Sequence, residues 1–268
     1  MSALTSSGEA EVRRDARQLD YDRYLAALLA PDGTHDDLLT LAAFHGEIAR
    51  IPASVQEPTM GAVRLQWWRD VAETAAAPEA TGSPVADKLR QAIATGRFSL
   101  ADVTSIIDAY EELLRPGSLT DPQELDAFLA ASQGAAFRLA AQVLGAGRDA
   151  APGLVFAAAQ SYGRVQLLRA LPFLLAKGHN PLADGPTVDW SAVIQPMLVQ
   201  AREWFAETRH CVAPAGATMM QAIAPAALVG PYLKALERLG SKLVFEQATI
   251  SPLSRVWRIY MASRRGRF

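Results

Sequence analysis

Residues 61–70 read Gly61-Ala-Val-Arg-Leu-Gln-Trp-Trp-Arg-Asp70. In a helix, residues three and four apart share a face, so Arg64 lies beside Trp67 and Trp68, and Gln66 beside Arg69 and Asp70. One face is aromatic, and the next sets a cation against a carboxylate. Two readings stay open on this stretch alone. It is a core helix with two large anchors and a solvated Arg–Asp pair, or it lines an apolar pocket whose rim can hold an anion.

The helical pattern continues on both sides. Upstream, Pro58 suits a first helical turn. Before it, Leu38, Leu41, Ala42 and Ile48 form a stripe that Thr34 can cap and Pro52 stops. Pro31-Asp32-Gly33 ends an earlier helix carrying Leu25, Leu28 and Leu29. Residues 1–17 are polar and mixed in charge, and a loose tail is expected there, with the folded domain over 18–268. Downstream, Ser83-Pro84 opens a helix that ends at Gly96. Ser99-Leu-Ala-Asp102 resembles a capping box ahead of Val103, Ile106, Ile107 and Tyr110. Asp121-Pro122 opens a helix to Gly145, and Pro152 one to about Lys177, which Pro172 should kink or shorten. Further helices are predicted at about 190–210, 217–229, 231–239 and 252–262. No period-two run and no internal repeat appears. The pattern predicts an all-α single domain, a helical bundle around a central cavity with Trp67 or Trp68 in its wall.

Half of the 268 residues are hydrophobic and 20% are charged, enough apolar mass for a sizeable core. A net charge of −2 gives no field favouring nucleic acid. Cys211 is the one cysteine, which excludes an internal disulfide and a Cys-based metal cluster and fits a reducing compartment. It reads as core filler. No apolar run approaches the ~20 residues that span a bilayer, and the first ten residues lack the pattern of a secretory signal. A cytoplasmic protein is expected.

Four stretches carry a family likeness: Asp22-Arg-Tyr-Leu, Leu41 through Arg50, Arg64-Leu-Gln-Trp-Trp-Arg-Asp70, and Gly163 through Arg169. By these residues the chain resembles the squalene/phytoene synthase family, all-α enzymes that join prenyl groups head to head. It looks especially like a branch related to a respiratory complex I assembly factor and considered non-catalytic. The resemblance implies an isoprenoid-synthase-like fold. It also implies two Asp-x-x-x-Asp motifs on facing helices, whose carboxylates hold Mg²⁺ against substrate diphosphates.

Those carboxylates are not where the family keeps them. Setting Gln166-Leu-Leu-Arg169 on the family's Asn-x-x-Arg run puts Ala170 and Leu174 at the aspartate positions, and residues 150–183 contain no Asp or Glu in any register. For the first motif the helix offers Glu47, with Ile51 four residues on. The carboxylate pairs Asp108/Glu112 and Glu203/Glu207 fall on other helices and read as solvated faces.

Tyr162, Gln166 and Arg169 share a face of the 152–177 helix. Arginine's planar fork can grip phosphate without a metal. Alternatively Arg169 pairs with Glu47 or Asp70 as structural glue. The candidate ligand-binding residues are therefore Glu47, Arg50, Arg64, Trp67, Trp68, Tyr162, Gln166 and Arg169, with no catalytic or metal-binding residue assigned. His45, His179 and His210 are scattered and show no zinc spacing. The tail over 254–268 combines five arginines with Trp257, Tyr260 and Phe268. That combination suits an anionic membrane surface, or a packed last helix with a basic end.

The resemblance thus implies a catalytically silent homologue that acts in binding or assembly of a membrane respiratory complex of the NADH dehydrogenase type. No cofactor is expected. An isoprenoid or phospholipid ligand and subunits of the complex are the expected partners, with peripheral contact at the inner membrane through 254–268. The alternative is a prenyltransferase using isoprenoid diphosphates, with Mg²⁺ as its cofactor.

Overall fold

Helix α9 (Pro152–Ala176) is apolar on nearly every side, the pattern of a helix surrounded by others rather than one facing water. In the computed structural model, which describes residues 2–77, 79–185 and 187–268 (side chains from residue 7), α9 runs through the middle of the bundle. Pro172 sits inside it, yet the helix continues to Ala176. The proline lies one turn from the end, so the sequence expectation of a shortened helix gives way to the loss of a single hydrogen bond.

Ahead of α9 come α1 (Ser2–Leu19), α2 (Tyr21–Leu28), α3 (His35–Ser54), α4 (Pro58–Glu73), α5 (Pro84–Ala94), α6 (Leu100–Glu112), α7 (Pro122–Leu129) and α8 (Ala135–Val143). After it come α10 (Trp190–Ala222), α11 (Val229–Leu239) and α12 (Pro252–Arg265). No strand occurs among the described residues. Ser83, Ser99, Asp121 and Ser251 cap their helices through side-chain oxygens, as their types and positions predict. Helix α10 keeps going past Pro214 and breaks geometry at Gly216, where φ is 85°.

Two local features shape the interior. Between α7 and α8 the chain widens into a π-helical turn, Ala130–Gly134, which carries the buried Gln133. Such turns re-aim side chains inward and recur at functional sites. On α3, Gly46 lets the α1–α2 junction come close: a Cβ there would stand 2.5 Å from the Leu19 Cβ.

Residues expected as a loose tail instead belong to α1, which packs against α3 and α5. Val12 and Ala16, on one face, are buried. Two small apolar residues are too weak a stripe to announce a packed helix, but they fit the surface that α3 presents.

Candidate functional site

Asp20 caps α2, accepting from the Arg23 backbone N–H at 3.1 Å. Because Gly46 holds this corner against α3, the same carboxylate also receives Arg23 Nη1 at 2.8 Å and lies 2.9 Å from His45 Nδ1. Gln133, from the π turn, accepts from Arg23 Nη2 at 2.7 Å, and its amide lies 3.2 Å from His45 Nε2. A neutral His45 satisfies this circuit with its proton on Nδ1 facing Asp20 and its Nε2 accepting from Gln133. Burial, followed by the neighbouring Arg23, holds the His45 pKa below its ordinary value. Burial pushes the Asp20 pKa up, but Arg23 and His45 outweigh it and hold the carboxyl below the usual range.

Two residues along, Asp22 collects a second network. Its carboxylate accepts from Tyr232 Oη at 3.0 Å, Gln166 Nε2 at 3.1 Å and Tyr162 Oη at 3.2 Å, with Arg255 Nη1 at 3.8 Å. Burial is the largest influence on Asp22 and raises its pKa against the pull of Arg169 and Arg255. Arg169 donates through Nε to the Ala248 carbonyl at 2.9 Å and through Nη1 to Gln166 Oε1 at 2.5 Å. Its guanidinium stacks 4.0 Å from the Tyr232 ring centre. The Nε of Arg255 is buried with no hydrogen-bond partner.

The two networks line one cavity of about 540 Å³. Its wall holds four arginines (Arg23, Arg50, Arg169, Arg255) against two aspartates; Glu47 neutralises Arg50, so with His45 neutral the wall keeps one net positive charge. Apolar lining comes from residues such as Ala49, Leu113, Phe128 and Phe173. The chamber therefore offers guanidinium groups to an anionic head and an apolar flank to a chain.

Four of the residues singled out from sequence meet here: Arg50, Tyr162, Gln166 and Arg169 line the cavity. The others lie elsewhere. Glu47 pairs with Arg50 at 2.7 Å on the exposed side of α3, and Arg64 donates to Ser54 Oγ at 3.1 Å. Neither tryptophan stands in the wall: Trp68 packs edge-on against Phe44 at 5.5 Å, and Trp67 is 41% exposed. The tryptophan helix is thus a core anchor. Arg69 reaches Asp108 and Glu111 on α6, while Asp70 accepts from Gln66. Arg169 pairs with neither Glu47 nor Asp70; its charge acts instead on Asp22, against the effect of burial. Cys211 is half-buried and donates to Glu207, rather than filling the core.

Sequence reasoning missed Asp20 and Gln133, used Asp22 and Arg23 only as family markers, weighed His45 only as a zinc ligand, and counted Arg255 only as part of the basic tail. The available signal was the density of charge at Asp20-Tyr-Asp-Arg23 on the edge of an apolar stripe.

The donor set does not fit Mg²⁺. Ala170 and Leu174 line the cavity and offer no oxygen ligand. The carboxylates of Asp20 and Asp22 are already covered by arginine, imidazole, phenol and amide groups. Among the described residues no group of three or more His, Cys, Asp or Glu is arranged to hold a metal. A hard dication needs several oxygens free to approach it.

Fold and site together define an all-α bundle with a polar-ended cavity among its helices, the isoprenoid-synthase-like architecture. The chain belongs to the squalene/phytoene synthase family, whose pattern matches residues 16–182. In three dimensions it is similar to squalene synthase HpnC from Alicyclobacillus acidocaldarius, with a TM-score of 0.69 at 18% identity, covering 89% of this chain and 96% of that one. It is also similar to a dehydrosqualene synthase solved in complex with a ligand, with a TM-score of 0.69 at 12% identity over 98% of each chain. In sequence it is 31% identical over 157 residues to the mouse (Mus musculus) protein named NADH dehydrogenase (ubiquinone) complex I, assembly factor 6, and 28% identical to the human (Homo sapiens) protein of that name. Each alignment covers 59% of this chain and 47% of the relative, so the chain spans about half the length of the curated relatives it matches.

Proposed function

We propose that this protein is a catalytically silent member of the family that works by binding, in the assembly of a membrane respiratory complex of the NADH dehydrogenase type. The assembly role rests on the names of the relatives. The silence rests on one observation: at the positions where metal-binding acids are expected, the cavity presents Ala170, Leu174 and a surplus of guanidinium groups. Pyrophosphate departure needs its growing charge neutralised by dications held in place, and this wall repels them. The same wall attracts an anionic head directly. The ligand that fits is an isoprenoid diphosphate or phospholipid with its head at Arg169 and Arg255 and its chain along the apolar flank.

Incubation with farnesyl or geranylgeranyl diphosphate, with and without Mg²⁺, tests the reading. Binding of similar strength in both conditions, with no pyrophosphate released, is the expected result. Mg²⁺-dependent release of pyrophosphate would show a prenyltransferase and overturn it. A strain lacking the chain should lose assembled NADH dehydrogenase; full assembly in that strain would remove the assembly role.

A further inference from the structure

Helix α12 has three faces, and the cavity uses one of them. Ile259 and Ala262 are buried, and Arg255 reaches the Asp22 network. A second face, Leu253, Val256, Trp257 and Tyr260, follows helical spacing and stays in water, with Leu253 79% and Trp257 59% exposed. A stripe of four large apolar residues on one exposed helix is more than the scattered apolar exposure normal for a surface.

The third face borders a second hollow of about 540 Å³, between α12, α10 and the start of α11. Arg209, Arg258, Arg265 and Arg267 line it, and no Asp or Glu side chain does. All four arginines are exposed, and none joins an ion pair among the described residues. Some exposed arginines elsewhere find acids, as Arg202 does with Glu237 and Arg50 with Glu47, and others such as Arg13 and Arg238 do not; what marks this set is that four of them converge on one hollow. Phe205 and Phe268 also line the hollow, their rings 5.7 Å apart. Trp257 belongs to both the hollow and the apolar stripe, so the two features are continuous.

We infer that this hollow is a headgroup site for anionic phospholipid, and that α12 lies on a membrane surface with its apolar stripe in the interface. Charge complementarity selects the occupant. Four cations with no Asp or Glu among them match the phosphate layer of an anionic bilayer, and arginine binds phosphate oxygens in pairs. The adjoining tryptophan, tyrosine and aliphatic side chains match the depth just beneath that layer. The site is separate from the central cavity and stands whether or not the cavity holds a ligand.

Vesicle flotation of the full chain tests the inference. Vesicles of phosphatidylcholine mixed with phosphatidylglycerol should carry the protein, and vesicles of phosphatidylcholine alone should not. Arg258→Ala combined with Arg265→Ala should weaken binding roughly thirtyfold, since each cation near an anionic surface is worth about fivefold. Both residues are exposed, so the melting temperature should not move. Trp257→Ala should weaken binding without changing its salt dependence, and Arg115→Ala, at an exposed arginine that lines neither hollow, should leave it unaltered. Equal binding to uncharged vesicles would overturn the inference, as would full binding by the double-arginine variant. Tight binding of soluble glycerol phosphate without vesicle binding would also overturn it, identifying a free-anion site.

Discussion

Replacing Asp20 by Asn removes one charge while keeping volume and shape. The amide oxygen can still cap α2, because Asn caps about as well as Asp. What is lost is the charge that faces Arg23, and both side chains of that pair are more than nine-tenths buried. Arg23 would remain in the interior with Gln133 Oε1 at 2.7 Å and the rings of Phe137 and Tyr162 at 5.4 and 5.6 Å. Breaking a buried pair from one side costs about 3–5 kcal/mol, because the other charge stays desolvated. In a chain of this size each kcal/mol moves the melting temperature by about 2–4 °C, so a fall of about 6–20 °C is expected. Urea unfolding gives the free energy, with Glu47→Gln as the reference. That variant opens an ion pair whose arginine is 57% exposed, and exposed pairs are worth about 0–1 kcal/mol. Adding Arg23→Met to Asp20→Asn should recover part of the loss by removing the stranded charge. If Asp20→Asn costs no more than Glu47→Gln, the Asp20–Arg23 pair does not hold this corner and the description of the site is wrong.

Other outcomes follow from the same geometry. Trp68→Ala should destabilise by about 3–5 kcal/mol, as expected for truncating a buried aromatic. Trp67→Ala, at an exposed position, should cost well under half of that in the same urea assay. Gly46→Ala forces a Cβ to 2.5 Å from the Leu19 Cβ and 3.0 Å from the Leu19 carbonyl carbon. It should cost about 1–3 kcal/mol as overpacking, and it should shift the His45 ring resonances, since it moves Asp20. Stability should fall as pH drops below 6.5, because the unfolded chain then binds a proton that buried His45 refuses. A further fall is expected below 3.8, where the unfolded chain protonates Asp20 and the folded one does not. Asp22, with a raised pKa, has the opposite slope above 3.8, so the His45 contribution is read as the difference between wild type and His45→Gln. Identical pH profiles for those two proteins would show that His45 titrates normally.

The helices and their order are local properties, and the sequence carried them. Apolar residues at helical spacing, with Ser83, Ser99, Asp121 and Ser251 ahead of their stripes, determine where helices start because each side-chain oxygen closes on a backbone N–H two or three residues away. The absence of acids over 150–183 was equally plain. The face that Tyr162, Gln166 and Arg169 share follows from helical spacing alone. The tertiary structure decided the rest. Trp67 and Trp68 are adjacent and identical in type, and only the position of α3 makes one an anchor and leaves the other in water. Val12 and Ala16 become core because α3 meets them. Asp22 finds Tyr162 at a separation of 140 residues and Tyr232 at 210. A charged residue can be buried only where partners converge on it, and convergence across such separations depends on packing that no local pattern encodes.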